Sequence, residues 1–200
     1  MITGPRYKIA RRLGANIYEK TQTPKFALRS ERKGKPPYRP RTEYGTAMLE
    51  KQKVRFTYGV GEKQFKKYVK EAVAKKGVNT VQALFERLET RLDNVVYRLG
   101  WAPTRLAARQ MVTHGHIRVD NKKASVPSYI VTQKQVISVR EASFKKPLFK
   151  EFDEKTKTVQ VPAWLAFDHE KKAATVTGKP QWNQLENLFN LGNVIEFYSR

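Results

Sequence analysis

Apolar positions recur with helical spacing through the middle of the chain and alternate towards its C-terminal third. Leu49, Val54 and Tyr58 mark a first helix that Gly59-Val60-Gly61 breaks. Over 62–76, Phe65, Tyr68, Val69, Ala72 and Val73 return at steps of three and four. Lys63, Lys66, Lys67 and Lys70 take the positions between them. Gly77 suits the cap of that second helix. Asn79 then stands three residues before Gln82, a capping-box spacing. Val81, Leu84, Phe85, Leu88, Leu92, Val95, Val96 and Leu99 form one stripe, which predicts a single helix from Asn79 to Gly100. Pro103 reads as the first residue of a further helix that reaches about Thr113 and stops at Gly115. Beyond it the period changes. Ile117 and Val119 alternate with polar residues, Asp120-Asn121 offers a tight turn, and 136–139 reads as another strand. Strands are also expected over 158–167 and 174–177 and a short helix over 184–191, while 194–198 fits either state.

These elements predict an α+β protein. A basic extended arm (1–43) precedes a mainly helical domain (44–90) that includes the tail (about 184–200). A helix pair on a small sheet (91–141) forms an inserted module, and a mixed strand extension (142–183) packs on it. The arm is read as extended because Gly34, Pro36, Pro37 and Pro40 interrupt it and little apolar periodicity exists beyond Ile9 to Leu13.

Charge narrows the function classes. Over 200 residues, 40 Lys and Arg face 18 Asp and Glu, for a net +22. Such an excess attracts a polyanion, and nucleic acid becomes the leading partner. It is concentrated early: residues 1–44 hold 12 basic and 3 acidic side chains, and residues 142–200 hold 9 and 7. With no Cys, the chain has no disulfide, thiolate metal site or cysteine nucleophile, which fits a cytosolic setting. The longest uncharged runs, 124–133 and 158–167, are too short to span a bilayer, so no membrane role is expected.

No chemistry stands out. Glu151, Asp153 and Glu154 cluster in a charged stretch that reads as solvated surface. His114 and His116 could face a metal, but a zinc site needs three or four ligands and the chain has 3 His in all. At a helix end the pair complements the dipole or touches phosphate. No metal and no cofactor are expected. The positive feature is Arg98, Arg105, Arg109, Arg118, Lys122 and Lys123. Arg105 and Arg109 share one helical face with no acid on their own helix, so the face reads as single-signed and suited to phosphate.

Thr90-Arg91-Leu92-Asp93-Asn94-Val95-Val96-Tyr97-Arg98-Leu99-Gly100 is followed by Ala108-Arg109-Gln110-Met111-Val112-Thr113-His114-Gly115-His116-Ile117 and Pro127-Ser128-Tyr129. With Glu50-Lys51-Gln52-Lys53-Val54-Arg55, Tyr58-Gly59, Gln64-Phe65 and the terminal Glu196-Phe197-Tyr198-Ser199-Arg200, this order resembles the bacterial small-subunit ribosomal protein S four family nearly end to end. The resemblance implies a non-enzymatic, cytoplasmic component of the small ribosomal subunit that binds the five-prime domain of its rRNA early in assembly. It further implies a place at the mRNA entrance pore beside small-subunit proteins five and three, where Arg39 and Arg41 would face mRNA and assist unwinding and accuracy. The rRNA-binding set expected from charge and resemblance together is Arg6, Lys8, Arg11, Arg12, Lys51, Lys53, Arg55, Arg98, Arg105, Arg109, His114, His116, Arg118, Lys122 and Lys123.

Three departures from the family pattern stand out. Tyr7 and Ala10 occupy the region where some members carry zinc-binding cysteines, Asp120-Asn121 replaces the usual Asn-Gly turn, and Lys134-Gln135 replaces the usual Gly-Asp. The central module also occurs in RNA-modifying or tRNA-charging enzymes and other translation factors, which would need a catalytic domain outside 91–141. A DNA-binding regulator is a third reading, because the tight helix pair near Gly100 mimics a helix-turn-helix.

Overall fold

The computed structural model describes residues 4–24, 26, 42–149, 152, 154, 156, 159–184 and 187–199. Among them are eight α-helices and one five-stranded antiparallel sheet, an α+β composition. The chain forms two compact units, Met1–Leu84 with Trp182–Arg200, and Phe85–Gln181.

In the first unit, α1 (Arg6–Leu13) buries Ala10 and Leu13 and ends at Gly14, whose φ of 65° makes a left-handed cap. A 3-10 turn (Glu19–Thr21) follows, and Ile17 and Thr21 are buried with the helix. The arm is therefore not extended over 6–21: Ile9 to Leu13 is one end of a folded apolar stripe that Ile17 continues. Next, α2 (Glu43–Tyr58) starts at Thr42, whose Oγ1 accepts the Gly45 amide at 3.1 Å, and ends at Gly59. Helix α3 (Glu62–Ala74) buries Phe65, Tyr68, Val69 and Ala72 of the face its periodicity marks, while Val73 is exposed and the helix is capped at Lys75, two residues short of Gly77. Asn79 caps α4 (Thr80–Glu89), accepting the Val81 amide at 2.9 Å, and the division between the units falls within this helix.

The tail returns to the first unit as the last helix, α8 (Leu191–Ser199), against α2 and α3. Helical structure was expected over 184–191. Of the described residues there only Leu191 is helical, as the first residue of α8, with Asn190 Oδ1 accepting the Gly192 amide at its start. Two acids hold the tail. Glu50 accepts the Asn190 amide at 2.8 Å, and Glu62 accepts the Tyr198 hydroxyl at 2.6 Å. Burial pushes the Glu62 carboxyl up, but the hydrogen bonds from Tyr198 and Lys51, with the charges of Arg55 and Lys51, outweigh it and hold the group below its ordinary range.

The second unit opens with a correction. The stripe from Asn79 to Gly100 is not one helix, because Arg91 is extended (ψ 136°) between α4 and α5 (Leu92–Arg98). The broken ladder is satisfied from across the chain: the Leu92 amide donates to Tyr129 O, Asp93 N to Pro127 O, and Val131 N to Thr90 O. The next helix, α6 (Arg105–Thr113), begins two residues later than Pro103 suggests, because Thr104 Oγ1 caps the Ala107 amide at 3.1 Å.

After α6 come β1 (Ile117–Val119), β2 (Lys122–Ala124), β3 (Val136–Val139), the short α7 (Glu141–Phe144), β4 (Leu165–Asp168) and β5 (Ala173–Val176). The sheet order is β2-β1-β3-β5-β4, all antiparallel, so the C-terminal hairpin extends the module's sheet through β3 and β5. The expected strand over 158–167 shortens to Leu165–Asp168, and the 174–177 strand is shifted by one residue. Asp120 and Asn121 both take positive φ (48° and 63°), the two-residue turn whose twist suits a hairpin. Asp120 Oδ1 also accepts the Val136 amide, and Oδ2 accepts Gln135 Nε2, each at 2.9 Å. Gln135 thus braces the turn, and Lys134 beside it carries a left-handed φ of 71°. The core joins Leu92, Val95, Val96 and Leu99 of α5 to Ala108, Met111 and Val112 of α6 and to Ile117, Ile137 and Ala174 of the sheet.

Candidate nucleic-acid interface

Each expected cation can now be placed. On α1, Lys8, Arg11 and Arg12 are exposed, while the Arg6 guanidinium sits 5.9 Å over the Tyr18 ring. On α2 the triplet Lys51, Lys53 and Arg55 faces inward. Lys51 is 7% exposed, with Nζ 3.2 Å from Glu62 and 4.5 Å from the Phe197 ring centre. Lys53 pairs with Glu50 at 2.6 Å, and Arg55 with Glu62 at 2.7 Å. These cations fasten the tail helix. As a phosphate surface, buried Lys51 is withdrawn from the expected set, because exposing it would break the pairs that offset its desolvation.

The arginines of the module are also engaged. Arg98 makes a two-pronged contact with Glu89 (2.8 and 2.7 Å), and Arg109 donates from Nε and Nη2 to Asp93 (3.0 and 2.8 Å). Asp93 accepts Arg91 as well, at 3.0 and 2.7 Å. Arg105 donates to Asn94 Oδ1 at 2.8 Å and stacks 4.3 Å over Tyr97, while Asn94 Nδ2 donates to Glu89. The face is thus not single-signed. Its acids come from α4 and α5, where a reading of α6 alone could not find them. Arg98 and Arg109 keep 33% and 23% of their side chains exposed, so both stay partly open to solvent beside their carboxylates.

The two histidines part company. His114 is exposed at the end of α6, whereas His116 is 5% exposed, with Nδ1 2.9 Å from Ser143 Oγ and its ring edge-on to Phe149. His116 is therefore a core residue, and its place in a phosphate surface is corrected. Burial, then the charges of Lys146, His114 and Arg140, push its imidazole below its ordinary 6.5. The folded state binds this proton less readily than the unfolded chain. Its contribution is complete above about pH 6.5 and is lost as pH falls below that value. We expect the denaturation midpoint of this unit to drop between pH 7 and 5 by more in the native sequence than in His116→Asn. Parallel pH profiles in urea would contradict this origin.

The clearest outward cations are on the hairpin. Lys122 and Lys123 are exposed on β2, and the Lys123 methylenes lie so close across Gly115 that a Cβ there would clash with them. Arg118, half-buried on β1, lies 4.0 Å from Glu141. The rigid two-residue turn fixes the direction of this group. Arg39 and Arg41 lie outside the described residues. Among the described residues no cluster of three His, Asp or Glu could hold a metal, and no helix is long and apolar enough to cross a membrane.

Comparison with known proteins matches this architecture. Residues 1–89 match the family described as Ribosomal protein S4/S9 N-terminal domain, and residues 90–137 match the S4 domain. Relatives named Small ribosomal subunit protein uS4, from Streptococcus pneumoniae strains Hungary19A-6 and CGSP14, are each 47% identical over 202 residues, covering 99% of this chain and 97% of theirs. Two matched domains in tandem, meeting between Glu89 and Thr90 and backed by identity along almost the whole chain, place this protein in the ribosomal protein S4 family.

Proposed function

We propose that this chain is a structural component of the small ribosomal subunit, in the cytoplasm, that binds the five-prime domain of the subunit's rRNA and nucleates its assembly. The observation that carries the reading is the near end-to-end match to relatives named as small-subunit proteins. Physics supports it: a net +22 favours phosphate neutralisation with release of counterions, and folded RNA is recognised by shape more than by base edges. The contacts we assign to rRNA are Arg6, Lys8, Arg11 and Arg12 of α1, the half-buried Lys53 and Arg55 of α2, His114, Arg118, Lys122 and Lys123 of the module, and the exposed parts of Arg98, Arg105 and Arg109. The role needs no reaction. The finer part of the proposal follows from the resemblance: Arg39 and Arg41 meet mRNA at its entrance pore, beside small-subunit proteins five and three.

The test is a titration of the protein against a five-prime-domain rRNA fragment and a duplex DNA of equal phosphate count, over a range of salt. Preference for the rRNA that survives high salt is the expected result. Equal affinities that collapse together would reduce the binding to charge alone and overturn the proposal.

A further inference from the structure

Glu89, the last residue of α4, is 1% exposed and lies beside the arginines of the module. Both of its carboxylate oxygens are engaged. Oε1 accepts Arg98 Nη2 at 2.7 Å, and Oε2 accepts Arg98 Nε at 2.8 Å and Asn94 Nδ2 at 3.0 Å. Asn94 Nδ2 also donates to the Glu89 main-chain oxygen at 3.1 Å, and Asn94 is itself 2% exposed. With its nitrogen drawn to the carboxylate, the amide turns its oxygen to Arg105, whose Nε it accepts at 2.8 Å. Arg105 in turn stacks 4.3 Å over the Tyr97 ring. One buried carboxylate thus holds Arg98 directly and Arg105 through a single amide, and both arginines stay partly exposed.

Neither charge nor stability accounts for this arrangement. A carboxylate beside two cations weakens their pull on a phosphate. Its burial is no gain in itself, since well-packed apolar side chains in place of a buried ion pair are often neutral or stabilising. What the carboxylate supplies is direction. A loose arginine samples many rotamers and loses that freedom when a ligand docks, whereas a guanidinium already held at Nε has less to lose. Acid–base catalysis is a poor fit for Glu89, because both oxygens are occupied and the group is closed to solvent.

We propose that Glu89 is a positioning residue for RNA binding: its buried carboxylate fixes Arg98, and through Asn94 also Arg105, in the directions in which they meet rRNA phosphates. It rests on the functional reading above. Full-length protein carrying Glu89→Gln or Asn94→Ala is titrated, at one salt concentration, against the five-prime-domain rRNA fragment and a duplex DNA of equal phosphate count. Glu89→Gln raises the net charge of +22 by one, so charge alone predicts tighter binding to both. Loss of positioning predicts the opposite sign on the rRNA: binding about tenfold weaker, for two side chains set loose, with duplex DNA bound as well as before or slightly better. Asn94→Ala leaves every charge in place and should lose about threefold on the rRNA alone, through Arg105. A variant that is merely less folded loses the same factor on both ligands, so the ratio of the two affinities reads positioning whatever the stability. In protein already carrying Arg98→Ala and Arg105→Ala, Glu89→Gln should no longer change that ratio. Tighter or unchanged rRNA binding by Glu89→Gln would overturn the proposal, as would equal losses on the two ligands. Native protein with no preference for the rRNA would bring down the functional reading, and this assignment with it.

Discussion

Replacing Asp93 by Ala is expected to destabilise the Phe85–Gln181 unit by about 3 to 5 kcal/mol, the range for removing one partner of a buried ion pair. Asp93 is 4% exposed and accepts two bonds from Arg91 and two from Arg109, so one carboxylate holds both guanidinium groups. Its amide also donates to Pro127 O, beside the break between α4 and α5. Without the carboxylate, Arg91, itself 3% exposed, keeps its charge in a dry position, while α6 loses a tie to α5. Arg109→Ala should cost less, because Asp93 retains Arg91. Urea denaturation followed by the fluorescence of Trp101 and Trp164, both in this unit, measures the difference. A loss below about 1 kcal/mol in Asp93→Ala would show that the pair is no more than a surface contact.

The second large effect is expected at Leu92. It is fully buried at the start of α5, within the core that packs α5 and α6 on the sheet. Truncation to Ala removes apolar burial and leaves a cavity, at a cost of about 2 to 5 kcal/mol. Leu106 on α6 is the matched control: it is 41% exposed, and its truncation should stay within about 0.5 kcal/mol. Similar midpoints for the two variants would refute the assignment of Leu92 to the core.

Where one short segment contains all the information, the sequence was legible. Helix α3 buries most of the face its periodicity marks, Asn79 caps α4, and Gly59 and Gly115 end their helices. The Asp120-Asn121 turn forms despite lacking glycine, because both residue types tolerate the left-handed region and Gln135 braces them. The stripe from Val81 to Leu99 misled for a physical reason. Apolar spacing continues through Thr90 and Arg91, and the bonds that make an extended Arg91 favourable come from Tyr129, Pro127 and Val131, more than thirty residues away. The early helix was missed because α1 is short and heavily charged, and its stripe is completed by residues beyond Gly14.

The candidate site divides along the same line. Composition pointed to a polyanion partner, and the motif order pointed to the family that the domain matches show. Neither revealed which cations remain available. Lys51 and Lys8 are the same residue type in equally basic surroundings, yet one is buried against Glu62 and Phe197 and the other is exposed. Arg109 lacks an acid on its own helix and finds one sixteen positions earlier. By itself the sequence determined the helix faces, the alternation of the strands, the turn chemistry and the charge, since each depends on neighbours within a few residues. Tertiary structure alone decided the break at Arg91, the joining of β5 to β3, the burial of His116 and the pairing of the arginines. Those depend on which distant segment arrives to supply a hydrogen bond or a countercharge, and a pattern of three or four residues does not encode that segment.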